Sequence, residues 1–133
     1  MNIDKCKLLR NSKNIAVVGI SSKPERTSRK IAEYLSENGF NVVGVNPNKS
    51  FTDAGSIKVY NNLLEIPHEI DIVDVFRKSE DIPDLVDDVI ALNPKAFWLQ
   101  LGIENNEAAE KISEQGILVV QDKCIKVEHS YCK

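Results

Sequence analysis

Ile15-Ala16-Val17-Val18-Gly19-Ile20-Ser21-Ser22-Lys23-Pro24-Glu25-Arg26-Thr27-Ser28 runs from an apolar strand, through a turn rich in hydroxyls and cations, into the start of a helix. Strand, turn and helix in that order open a parallel α/β sheet, and the turn is where such a sheet holds an anion. A helix N-terminus carries backbone N–H groups without intrahelical acceptors and about half a positive charge. An anionic group placed there gains hydrogen bonds and dipole attraction together. The side chains agree. Between residues 23 and 30, Lys23, Arg26, Arg29 and Lys30 stand against Glu25, a balance of four minus one, or +3, in a chain of net charge -3. A basic island on an acidic chain calls for an anionic partner of local reach.

Outward from this unit, short apolar runs recur at 15–19, 42–45, 70–76, 96–99 and 117–120, each rich in Val, Ile or Leu. Such runs suit strands buried on both faces, and the stretches between several of them have helical apolar spacing. Ile31, Ala32, Tyr34 and Leu35 mark one face of a helix that Gly39 ends. Ser79 is the expected cap of a later helix, with Glu80 and Asp81 suited to its dipole, Pro83 in its first turn, and Leu85, Val86, Val89 and Ile90 facing inward. Ala108, Ala109 and Ile112 mark another helix, stopped near Gly116, and a short helical turn is expected over 62–65. The segment 48–56 has turn composition and reads as the most mobile loop, and the polar tail 126–133 is expected to fray or to pack on the surface. The alternation predicts a Rossmann-like three-layer α/β/α fold with a five-stranded parallel sheet, in one domain spanning 1–133.

Composition narrows the functions. A hydrophobic content of 42% with 28% charged residues is that of a globular domain, and a net charge of -3 argues against bulk binding to nucleic acid or to acidic membranes. No apolar run approaches the ~20 residues that span a bilayer, and residues 1–14 lack the apolar region of a leader, so a cytoplasmic location is expected. Cys6, Cys124 and Cys132 are an odd number without C-x-x-C spacing, which predicts reduced thiols rather than a disulfide framework or a zinc site.

In an open parallel sheet, ligands bind beyond the carboxyl ends of the strands, where strand order reverses. The first strand leads into residues 21–28, the second into Asn46-Pro47-Asn48-Lys49, and the third into Phe76-Arg77. The fourth leads from Trp98 into Gln100 and Gly102, and the fifth into Asp122-Lys123-Cys124. The dinucleotide fingerprint G-x-G-x-x-G is not matched, because its second and third glycine positions hold Ser21 and Pro24. A Cβ and a proline ring there require a wider loop. The acid that usually follows the second strand of nicotinamide-binding sheets is replaced by Asn46, Pro47, Asn48 and Lys49.

Taken together, Val17-Val18-Gly19-Ile20-Ser21, Lys23-Pro24-Glu25-Arg26, Ser28, Val45-Asn46-Pro47, Asp71-Ile72-Val73-Asp74-Val75-Phe76-Arg77, Trp98-Leu99-Gln100-Leu101-Gly102 and Asp122-Lys123-Cys124-Ile125-Lys126 resemble one family. It is that of the small coenzyme A-binding domain proteins, related to the N-terminal domain of the succinyl-CoA synthetase alpha subunit. The resemblance runs from Ile15 to about His129. Two departures from the family pattern are Lys123, where an arginine is favoured, and a longer 48–56 loop. What the resemblance implies is binding of coenzyme A through its ADP moiety. Gly19, Ser21, Ser22, Lys23, Pro24, Arg26 and Ser28 would hold phosphates, Asn46, Pro47 and Lys49 would lie beside the adenosine, and Phe76, Arg77, Trp98 and Gln100 would line the remaining crevice.

The reading favoured is a non-catalytic coenzyme A or acyl-coenzyme A binding module, with no catalytic residue and no metal. The chain lacks room for the further domains that run the synthetase reaction. A Cys124-dependent acyl-coenzyme A or thiol-exchange enzyme, an NAD(P)-binding oxidoreductase-like module, and a subunit completed by a protein partner or a second copy stand as alternatives. No histidine lies near Cys124 in sequence to activate it, and neither His68 nor His129 has metal or triad spacing. Asp81, Asp84, Asp87 and Asp88 fall mostly on the solvent side of their helix. Trp98 has two readings, a ligand-stacking ring and a core residue.

Overall fold

A computed structural model describes residues 4–48 and 51–132. Strands β1 (Asn14–Val18), β2 (Asn41–Val45), β5 (Ile72–Val75), β6 (Ala96–Leu99) and β7 (Leu118–Val120) fall on the five apolar runs, with ends that differ by no more than two residues. The chain also forms β3 (Asp53–Ala54) and β4 (Ile57–Tyr60), so the sheet has seven strands, in the order β3-β4-β2-β1-β5-β6-β7. Six are parallel neighbours, while β3 pairs antiparallel with β4 across a turn at Gly55. The expected five-stranded parallel sheet is thus corrected to a seven-stranded, mostly parallel one. The two extra strands fall partly in the segment read as a mobile loop. β3 is turn-like in sequence, but β4, Ile57-Lys58-Val59-Tyr60, alternates apolar and polar residues as a half-buried strand does, and it completes the open edge of β2, burying Ala54, Ile57 and Val59.

Strand order reverses between β1 and β5, which pair with each other while their successors run to opposite edges. Alternate side chains of each strand enter opposite layers. Ile15 and Val17 join Leu8, Leu9, Ile31, Leu35 and Ile125 on one face, while Ala16 and Val18 join Ile82, Val86, Val89 and Ile112 on the other. The first face is covered by α1 (Lys5–Arg10), α2 (Thr27–Glu37) and α5 (Ile125–Ser130), and the second by α3 (Val86–Leu92) and α4 (Asn106–Ser113). Residues 63–65 make the expected short helical turn, capped by the Asn62 side chain.

One expectation about the helices changes. Ser79 does not cap an α-helix: residues 79–85 form a 3-10 segment around Pro83, and Ser79 Oγ accepts from Glu104 N–H at 3.0 Å. Proline disfavours α geometry in the residue before it, which delays the α-helix to Val86. Of the two expectations for the tail, packing on the surface is the one the structure shows. Residues 125–130 are helical, α5 packs on α1, and Cys132 is bonded to Cys6. The three reduced thiols expected from the sequence are therefore one disulfide and a free Cys124. Partners 126 residues apart leave no spacing signal; the packing of α1 on α5 is what brings them together.

Two aspartates of the same strand region have opposite electrostatics. Asp71 Oδ2 accepts from the N–H groups of Lys13 (2.8 Å) and Asn14 (2.9 Å), and Lys95 Nζ lies 3.5 Å from Oδ1. Burial pushes its carboxyl up, but these donors outweigh burial and hold it below the ordinary value. Asp74 is fully buried, level with Val17 and Trp98, and neither oxygen has a hydrogen-bond partner among the described residues. Burial alone pushes its carboxyl well above the usual range.

The folded state therefore binds the Asp74 proton more tightly than the unfolded chain does. The stability this lends is fully present below the ordinary carboxylate range and is lost as pH rises through the raised value. Asp74→Asn, which keeps the shape and cannot titrate, is expected to gain stability over the native chain progressively as pH rises above the ordinary carboxylate range, until the buried acid ionises. Urea unfolding across that rise in pH checks it, and a difference independent of pH would contradict the buried acid.

Candidate functional site

The site is built where β1 and β5 part. Gly19 leaves β1 with φ +87° and passes so close to β5 that a Cβ on it would stand 2.3 Å from the Phe76 carbonyl oxygen. This passage turns the chain into the 21–26 loop, which is braced from within. Ser21 N–H donates to Ser28 Oγ (3.0 Å), Lys23 N–H to Ser21 Oγ (3.0 Å), and Arg26 N–H to Lys23 O (3.1 Å).

The loop delivers the N-terminus of α2 to the crevice without a side-chain cap. Lys30 N–H is the first to find a helical acceptor, Arg26 O, so the N–H groups of Thr27, Ser28 and Arg29 have none among the described residues. Thr27 and Ser28 line a cavity of about 290 Å³ together with Gly19, Ser21, Arg26 and Phe76. Their backbone donors, the positive end of a helix and the hydroxyls of Ser21 and Ser28 make a cradle for a phosphate-like anion. Lys23 and Arg26 are exposed beside it, and Ser22 and Pro24 shape the same turn.

A second cavity, of about 370 Å³, continues from the first through the shared residues Thr27 and Phe76. It is lined by Thr27, Ile31, Phe76, Gln100, Leu101, Ile103 and Cys124, a mostly apolar wall. The two form one groove, with cation-flanked donors at one end and a thiol with a carboxamide at the other.

Not every residue expected at the site reaches it. Arg29 is buried, with Nη1 donating to Ser22 O at 2.8 Å and Nε to Glu33 at 3.1 Å. It braces the turn rather than meeting a ligand. Asn46 joins the end of β2 to the turn: its Nδ2 donates to Ile20 O and its Oδ1 accepts from Asn48 N–H, both at 2.8 Å. Pro47 is exposed beyond it, and Lys49 lies outside the described residues. Arg77 flanks Gly19 with its Cδ and lies 3.9 Å from Asp81.

Of the two readings of Trp98, the structure has the core one. It is wholly buried, with its indole N–H donating to Lys123 O at 2.9 Å, and it is not among the residues lining either cavity. Conversely, Thr27 joins the two cavities, and Ile31, Leu101 and Ile103 line the second, none of which the sequence reading placed at a ligand's side; Cys124, which that reading weighed as a thiol-exchange residue, lines it too. A hydroxyl at the first helical position was the signal available for Thr27. Among the described residues, no cluster of three or more His, Cys, Asp or Glu could hold a metal, and no helix is long and apolar enough to cross a membrane.

Comparison with known proteins adds an independent line. The sequence pattern described as the CoA binding domain matches residues 13–130. YneT, an uncharacterized protein of Bacillus subtilis, is 39% identical over 126 residues, 95% of this chain and 92% of YneT. The alpha subunit of an ADP-forming acetate–CoA ligase of Pyrococcus furiosus is 29% identical over 115 residues, which are 78% of this chain but 25% of that subunit. The structure of a Thermus thermophilus protein, ID.343, superposes over the whole of both chains with a TM-score of 0.93 at 35% identity.

The Gly19 passage gives a stability prediction. An L-residue with left-handed φ costs about 1–2 kcal/mol, and at Gly19 a backbone clash adds to it. Gly39, at φ +93° with nothing within 4 Å of a built Cβ, incurs the conformational cost alone. Gly19→Ala should therefore lower the urea midpoint clearly more than Gly39→Ala does. Equal losses would mean that the approach to Phe76 is not tight.

Proposed function

This chain belongs to the CoA binding domain family, and on that footing we propose that it binds coenzyme A or an acyl-coenzyme A in the groove between β1 and β5. The single observation that carries the proposal is the groove's division of chemistry. Uncapped helix donors with Ser21, Ser28 and Arg26 stand at one end, and the apolar pocket of Phe76, Gln100 and Cys124 at the other. Coenzyme A has the same polarity along its length, a polyanionic nucleotide carrying an amide-studded arm that ends in a thiol.

In this reading the pyrophosphate sits on the N-terminus of α2, where N–H donors and helix dipole act on the same charge. Gly19 keeps the space open, Ser21, Ser22 and Ser28 supply hydroxyls, and Pro24 holds the turn. Lys23, Arg26, Arg77 and Lys49 supply cations, the last beside the adenosine with Asn46 and Pro47. The arm then passes Phe76 toward Gln100. We read the protein as holding the nucleotide rather than transforming it, because the described side chains that line the groove, Cys124 apart, are hydroxyls, an amide, an arginine and apolar groups. We place this activity in the cytoplasm, the location expected from the sequence.

Charge-assisted hydrogen bonds contribute about 1.5–3 kcal/mol each. Loss of one such bond to the ribose 3′-phosphate should make dephospho-coenzyme A bind roughly ten- to a hundredfold more weakly than coenzyme A. Arg26→Ala should cost at least about tenfold. Calorimetric titration checks both. Equal affinities for the two nucleotides would remove the 3′-phosphate contact, and absence of coenzyme A binding would remove the proposal.

A further inference from the structure

The apolar end of the groove holds a nucleophile that binding alone leaves unused. Cys124 belongs to no disulfide, and its position is fixed from both sides. Lys123 O accepts from the Trp98 indole at 2.9 Å, Lys123 N–H donates to Leu99 O at 3.3 Å, and Ile125 N–H donates to Gln100 Oε1 at 3.0 Å. A half-buried cysteine is ordinarily a packing residue.

The second feature is Gln100, which borders the same cavity and is 4% exposed. Its Oε1 is held by Ile125, which fixes the amide's orientation, and its Nε2 donates to no group among the described residues. Among those residues, the fully enclosed side-chain atoms lacking a partner are the Asp74 oxygens. Gln100 Nε2 is therefore open, and it opens onto the cavity that Cys124 lines. An amide donor held in this orientation is satisfied by water or by a group entering the cavity that accepts from it. An amide carbonyl of the coenzyme A arm is such a group, and its thiol end would then arrive beside Cys124.

We propose that Cys124 captures the thiol end of the cofactor as a mixed disulfide, by exchange with a coenzyme A disulfide. This inference rests on the coenzyme A reading above. The Cys124 thiolate attacks one sulfur of CoA–S–S–R; that S–S bond breaks, a bond from Sγ to the coenzyme A sulfur forms, and R–S⁻ leaves and takes up the proton that Cys124 lost. One disulfide is consumed and one is made, so the step is redox-neutral, and an excess of small thiol reverses it. The protein thereby holds the oxidised form of the cofactor covalently and returns it when thiols are plentiful.

The test incubates the full chain with the symmetrical coenzyme A disulfide or with oxidised glutathione. Intact mass and peptide mapping read the adduct, and calorimetry with reduced coenzyme A is run in parallel. One coenzyme A should attach at Cys124 at least about tenfold faster than glutathione does, because groove binding raises its effective concentration, and dithiothreitol should release it. Cys124→Ser, checked as folded by circular dichroism, should gain none. Gln100→Glu, which keeps the acceptor for Ile125 and deletes the donor, should react several-fold more slowly. No adduct, attachment at Cys6 or Cys132, equal rates with the two disulfides, or an unchanged Gln100→Glu rate would overturn the inference. If reduced coenzyme A still binds in those cases, the cofactor reading stands; if it does not bind the native chain, both fall.

Discussion

The contact on which the rest of the molecule depends is the passage of Gly19 against the Phe76 carbonyl. β1 and β5 are direct neighbours, so the chain leaving β1 has to clear the end of β5 before it can turn into a helix. A residue with no side chain and a left-handed φ is what allows that clearance. From it follow the braced loop, the aim of α2 and the open space beneath its first turn. A strand-order reversal elsewhere in the sheet would put a helix end in solvent; here it puts one over a groove.

The parts of this arrangement that were legible in the sequence are those encoded within a few residues. The five apolar runs, the hydroxyl-rich turn, Gly39 at the end of α2 and the 62–65 turn all carry local signals, and the structure holds each of them. What could not be read depends on partners far away. β3 and β4 are strands because β2 has a free edge to fill, and the Cys6–Cys132 bond exists because α1 lies on α5. The disulfide leaves no spacing in the sequence, whereas the alternation of Ile57-Lys58-Val59-Tyr60 is a strand signal that does not name its partner.

The same division holds at the site. The loop residues were legible because a cradle for an anion is built from consecutive positions. Trp98 and Arg29 were not, since polarity and aromaticity at a strand end or helix start do not say which way a side chain turns. Trp98 turns inward and uses its one polar atom to hold Lys123. Arg29 turns under the loop, where Ser22 and Glu33 take its donors. Both steady the groove from below, and Lys23 and Arg26 stand exposed at its rim.

The bond between Cys6 and Cys132 makes the intervening backbone a closed ring. In an open chain, unravelling commonly starts by peeling from the extremities; a ring offers none. Loss of structure is then directed to interior segments with the least support, and the two-strand hairpin at β3 and β4 is the natural breach. Reduction of that one linkage would move the weakest point from the middle of the polypeptide to its two outer helices, changing where a protease first finds purchase.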